Sequence, residues 1–307
     1  MRFLRLATLA CICGTLALSG CTGSTNGAPA AGSVAARIAQ PPQNCINPLL
    51  EFVSDSTSGD VYVYNGSSPG ACLVISNLPK AKGMDVNSSG TLYVASAAAH
   101  SIVVFKAPYT SVSQVISDGP RAPGDVALCK GYIAAPNLTT NTITIFSYAG
   151  AILRILAAHS GSQELFATCD SAGNLYTDGT LGGATYVAEF KSGKGAPISL
   201  SSVASAVTKP GGLEWEQNAL WIDDQSGLSI SIWPAPFSTA AKTIHLSGAL
   251  DPIKFEIAPS DGKILSADAG LDRAVFYDLA GSPTGALNPF VGGGSLVGAN
   301  FNKDDSP

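Results

Sequence analysis

Short runs in which apolar residues alternate with small or polar ones recur along the chain. Six of them close on an aromatic residue: Val61 to Tyr64, Ile102 to Phe105, Ile143 to Phe146, Tyr186 to Phe190, Ile230 to Trp233 and Ala274 to Tyr277. Such alternation sends successive side chains to opposite faces and predicts β-strands. The closing aromatics stand 41, 41, 44, 43 and 44 positions apart. A strand-rich unit repeated every roughly 40 to 45 residues is the spacing of propeller blades.

The second copy shows the expected blade most fully. Gly83 to Val86 opens it, Ser88-Ser89-Gly90 turns, and strands follow over Thr91 to Ser96, Ser101 to Lys106 and Ser113 to Ile116. The same turn and strand return at Asp170 to Tyr176 and at Pro259 to Leu265. The first copy begins near Leu49 to Asp55 with no opening strand before it, whereas Leu296 to Asn302 has the character of one. The pattern therefore predicts an all-β, six-bladed propeller of four-stranded antiparallel blades over residues 45–307. Its ring is closed by a C-terminal strand placed innermost in blade one, which removes a free sheet edge. Residues near Ala35 to Ala39 are the alternative source of that strand.

Composition agrees with one repeated domain. The chain has 307 residues, 13% charged and 46% hydrophobic, with 33 Gly and 19 Pro, as expected of many buried strands joined by tight turns. The N-terminus is a separate object. Arg2 and Arg5 precede an apolar run from Leu6 to Leu18, too short to cross a bilayer as a helix, so residues 1–20 read as a cleaved export signal. Leu18-Ser19-Gly20-Cys21 resembles the bacterial lipobox, which implies acylation of Cys21, including a palmitate-type amide-linked chain, and attachment to the cell envelope. More than one acyl chain is needed for stable anchoring. Thr22 in place of Asp after the cysteine implies sorting to the outer membrane in a cell that has one. Residues 21–44, rich in Gly, Ala, Ser, Pro and Gln, then read as a flexible tether with a reach of about 25 Å.

Without Arg2 and Arg5 the chain carries 15 basic and 22 acidic side chains, a formal charge of −7. The basic residues are scattered, and no basic stripe interleaved with aromatics exists, which excludes nucleic acid as an expected partner. The expected partners are the membrane, through the lipid, and a protein or glycan on one face of a monomeric propeller.

The phrase Gly-x-x-φ-Asp/Asn-x-x-Gly-x-Leu-Tyr-Val-Ala, followed by Asn/His-x-Ile-x-Val/Ile-Phe, resembles the NHL-type repeat of six-bladed bacterial propellers over about residues 46–303. Trp221-Ile222-Asp223 does not reproduce the WD40 signature. The resemblance implies fold more than activity.

Four cysteines remain in the exported body. Cys129 and Cys169 end the opening strands of consecutive blades and are expected to pair, leaving Cys45 for Cys72. His100, His159 and His245 share no blade position, which argues against a histidine-rich zinc site. Asp125 and Glu164 stand at the starts of opening strands, where propellers line their central channel, and Glu214 stands nearby in blade five. Oxygen ligands of this kind suit Ca²⁺ in the channel. Gluconolactonase-like propellers hold a divalent cation there with a Glu, an Asp and Asn side chains. This chain instead starts blades two, five and six with Gly83, Gly212 and Ile253 and shows no matching Asn, so no catalytic residue is assigned. Asp178, Asp223, Asp224 and Asp268 recur after the second strand of blades four to six, and Asn137 and Asp55 stand in the same place in blades three and one. Such residues are expected to cap turns. The expected role is that of a tethered binding or scaffolding module. The alternatives are a gluconolactonase-like metal-dependent hydrolase and a purely structural envelope component.

Overall fold

The computed structural model describes residues 37–38, 45, 49–66, 68–159, 162–258, 262–287 and 296–301. The segments expected to be an export signal and most of a tether, with Cys21, lie outside the described residues. Six antiparallel sheets follow one another along the chain, and adjacent sheets pack in chain order until the sixth meets the first. The result is a six-bladed propeller closed by its C-terminal strand. Leu296–Phe301 lies innermost in blade one and pairs antiparallel with Leu50–Asp55, with Asn300 opposite Phe52. Arg37–Ile38, near the alternative closing segment, pairs with Leu73–Ser76 instead and adds a fifth strand on the outer edge of the same sheet.

The repeated pattern explains the packing. Each closing aromatic is buried: Tyr64, Phe105, Phe146, Phe190, Trp233 and Tyr277. The apolar side chains gather into six layers, one between each pair of neighbouring blades. Phe52, Met84 and Phe105 lie between blades one and two, and Leu265, Phe276 and Ala299 seal blade six against blade one. Two-sided burial is why the central strands, such as Leu92–Ser96, are buried along their whole length. Among the described residues no helix is long and apolar enough to cross a membrane.

Both expected disulfides are present. Cys45 and Cys72 bond across a 27-residue separation, and Cys129 and Cys169 across 40. The latter joins the ends of the inner strands Ala127–Cys129 and Ser162–Cys169 of blades three and four.

The recurrent acids do more than cap the turn that follows them. Asp224 accepts from Ser226 N–H in its own turn at 3.1 Å but also from Thr208 and Lys209 N–H in the segment entering its blade. Asp268 does the same for Leu271, Leu250 and Asp251. Asp55 serves Thr57 and Ser58, and Asp178 serves Phe166 on the neighbouring inner strand. These carboxylates satisfy backbone donors that the sheets leave over. Asp223 differs, being fully buried under Gly211 with neither carboxylate oxygen hydrogen-bonded. Burial, reinforced by Asp224, Asp268 and Asp251, holds its carboxyl well above the usual carboxylate range.

Candidate functional site: the central channel and its acidic mouth

The inner strands pair with their blades in equivalent register, so one position per blade forms a ring around the channel. Asn300 faces Phe52, Asp85 faces Tyr93, Ala127 faces Ala134, Thr168 faces Tyr176, Glu214 faces Trp221 and Glu256 faces Leu265. All but Ala127 line one cavity of about 100 Å³ at the end of the channel where the first and second strands of each blade are joined, and the neighbouring Leu128 completes its wall in blade three. Glu216, Trp215 and Tyr148 belong to the same mouth, as does the Cys129–Cys169 bridge. The ring is acidic, with three of its six positions carboxylates.

Inner strands are sheet edges, and side chains of the preceding blade cover part of their unpaired backbone. Asp85 accepts from Leu128 N–H of blade three at 2.8 Å, Asp125 from Ala167 N–H of blade four at 3.1 Å, and Thr168 Oγ1 from Trp215 N–H of blade five at 3.2 Å. The channel residues thereby stitch blade to blade. Asn300 donates through Nδ2 to Glu256 at 3.0 Å, which joins the closing strand to blade six.

One turn of side chains deeper, at the position two residues before the ring, the channel is plugged. Lys254 of blade six reaches across to Asp125 of blade three, the blade diametrically opposite, with Nζ 2.5 Å from Oδ1. The two side chains are 3% and 0% exposed, so the pair is dry. Lys254 also donates to Met84 O of blade two at 3.4 Å. Glycines make the crossing possible. A Cβ at Gly83 would run into the Asp125 carboxylate, and one at Gly212 would stand 2.9 Å from Lys254 Cα and Cγ. Burial pushes the Asp125 carboxyl up, and Lys254 with the Ala167 and Val126 N–H groups pulls it back. Burial also opposes the charge of Lys254, but Asp125, with Asp85 and Glu256 behind it, outweighs burial and raises the ammonium above its ordinary value.

The expected channel pair is thus resolved unequally. Asp125 stands in the channel, and the cation facing it is supplied by the chain itself. A divalent ion at its carboxylate would sit beside the Lys254 ammonium, so the donor set around Asp125 does not fit such an ion. Glu164 lies in the inner strand Ser162–Cys169, its backbone paired with Gly179, and its side chain is outside the described residues. Glu214 stands in the ring as placed. Among the described residues no three of His, Cys, Asp and Glu converge as a metal-ligand set. Lys254, Asp85, Glu256 and Asn300 were not singled out from sequence. Their common register, visible only once each inner strand is aligned on its partner, is the signal that groups the last three.

The fold is common, with 1047 solved chains matching it. One is a chain from the crystal structure of a nidogen/laminin complex, 14% identical, covering 84% of this chain and 100% of that one at a TM-score of 0.73. At that identity the likeness is one of architecture. No family model matches the sequence, and no curated protein matches it. The chain is a six-bladed propeller similar in fold to a chain of that complex.

Proposed function

We propose that this protein is a lipid-tethered propeller of the cell envelope that acts by binding rather than by catalysis, with the acidic mouth as its docking face for a protein or glycan partner. The observation that carries the reading is the Lys254–Asp125 plug beneath a shallow mouth. A plug of this kind makes the channel a floor rather than a passage, and it neutralises the carboxylate that a metal-dependent hydrolase would need. Half-exposed Trp215 and Tyr148 beside Asp85, Glu214 and Glu216 offer the mixture of aromatic faces and hydrogen-bond acceptors that recognition surfaces favour. Loops and turns set the specificity of such a face.

The envelope setting, at the outer membrane where there is one, is supported by the NHL-like repeat phrase and by the lipobox-like Leu18-Ser19-Gly20-Cys21. Two measurements test the reading. In a bacterial host the protein should incorporate a fatty-acid probe and sediment with membranes, and Cys21→Ala should lose both; equal labelling of the variant ends the lipoprotein reading. Immobilised soluble propeller should retain a defined component of the envelope fraction, and Glu214→Gln with Trp215→Ala should release it. Retention unchanged in that variant removes the mouth as the docking face.

A further inference from the structure

The opposite face of the ring carries a second feature of reversed charge. There the turns between second and third strands of blades one, two and three surround a groove of about 720 Å³, within the ~300–1,000 Å³ range of small-molecule sites. Lys80, Lys82 and His100 line it together with the hydroxyl of Thr57 and the apolar surfaces of Ala98 and Leu138. In a chain of net negative charge, a concave site with two neighbouring lysines is unexpected.

Neither lysine is neutralised. The ion pairs among the described residues are Arg121–Asp118, Lys209–Asp251 and Lys254–Asp125. The carboxylates on the surrounding elements are engaged elsewhere. Asp55 accepts from Thr57 and Ser58 N–H, and Asp118 lies buried against Arg121. Lys82 is half-buried, and burial together with the charge of Lys80 pulls its ammonium below the ordinary lysine value. A cation held in that state gains from an incoming anion more than a solvated lysine does, because the desolvation has already been met. His100 is oriented as well. It sits in the left-handed region (φ 52°) and its Nδ1 lies 2.9 Å from the Arg121 carbonyl, which accepts a hydrogen bond from it. In the neutral ring that leaves Nε2 as an acceptor for a ligand hydroxyl.

We infer that this groove binds an anionic sugar, its carboxylate or phosphate between Lys80 and Lys82, a hydroxyl on His100 Nε2 and a C–H face on Ala98 and Leu138. The site is independent of the acidic mouth and stands whether or not the mouth docks a partner. The chemistry serves a sugar acid and a sugar phosphate alike, and the test separates them.

Calorimetric titration of the soluble propeller with glucuronate and with glucose 6-phosphate should give saturable one-site binding by at least one of them. Glucose, which lacks the charge, and inorganic phosphate, which lacks the hydroxylated body, should each bind at least about tenfold more weakly. Lys80→Gln and Lys82→Gln should each weaken the preferred anion about tenfold, and Lys263→Gln in blade six should not. Lys80 is exposed, so its substitution leaves the fold intact even where Lys82→Gln does not. As an independent readout, brief acetylation mapped by mass spectrometry should mark Lys82, and the bound anion should protect it. Absence of saturable binding by both anions overturns the inference, as does glucose binding equally well or both lysine variants binding like the parent.

Discussion

Replacing Lys254 with Met removes one charge from the centre of the ring and keeps most of the side chain's length. Asp125 then retains the N–H of Ala167 at 3.1 Å but loses its only ion-pair partner among the described residues, in a channel where it is fully buried. Two routes give the size of the loss. Breaking a buried pair from one side costs about 3–5 kcal/mol. The escape is for Asp125 to take up a proton, which from an unfolded value near ~3.9 to pH 7 costs about 4 kcal/mol at ~1.4 kcal/mol per unit. The two agree, so about 4 kcal/mol is the expected loss at pH 7, or a melting temperature about 10 °C lower in a domain of this size. The pH dependence follows from the sign. The folded variant holds a proton on Asp125 that the unfolded chain releases above pH ~4, so its stability falls as pH rises from there to 7, and the deficit shrinks on acidification. Equilibrium urea unfolding at several pH values measures this. The double variant Lys254→Met with Asp125→Asn, which buries no charge, should recover most of the loss. A deficit under about 1 kcal/mol at pH 7, or one of equal size at both ends of the pH range, would refute the plug as the central electrostatic tie.

A chain ending at Gly294 loses the strand that pairs with Leu50–Asp55 and should aggregate or melt far below the parent, whereas one ending at Asn302 should melt with it; scanning calorimetry decides. Replacing Cys129 and Cys169 together by Ala should cost about 3–4 kcal/mol by the loop-closure estimate, and non-reducing peptide maps of the parent should recover the pairs 45/72 and 129/169. Asp223 is raised by burial, so the folded chain keeps a proton that the unfolded chain loses above pH ~4, and its contribution to stability declines as pH rises from there toward the folded value. Asp223→Asn should therefore raise the melting temperature at pH 7 and leave it nearly unchanged at pH 4, and an equal shift at both would contradict the assignment.

The blades were legible in the sequence because each is a local object. Alternation over a few residues makes a strand, Ser-Gly or Asp-Gly makes the turn, and the aromatic at the end of the third strand fills the layer against the preceding blade. Closure was legible for the same reason, since the first copy lacks an opening strand and Leu296 to Asn302 has the pattern of one. The 129/169 disulfide followed from two cysteines that end the opening strands of adjacent blades, a relation that the repeat itself encodes. What the tertiary structure alone decided lies across the ring. Lys254 and Asp125 are 129 residues apart and belong to opposite blades, and neither stands in a motif. Their meeting depends on the channel's width, on the glycines that let a side chain pass, and on the burial that strengthens the pair. The acidic ring had the same origin. Asp85, Glu214, Glu256 and Asn300 differ in residue type and flanking sequence, and only the strand register places them at one height. Local pattern encodes the repeating unit, because strands and turns depend on neighbours in sequence. The chemistry of the channel arises where inner strands from all six blades converge, and that convergence exists only once the ring has closed.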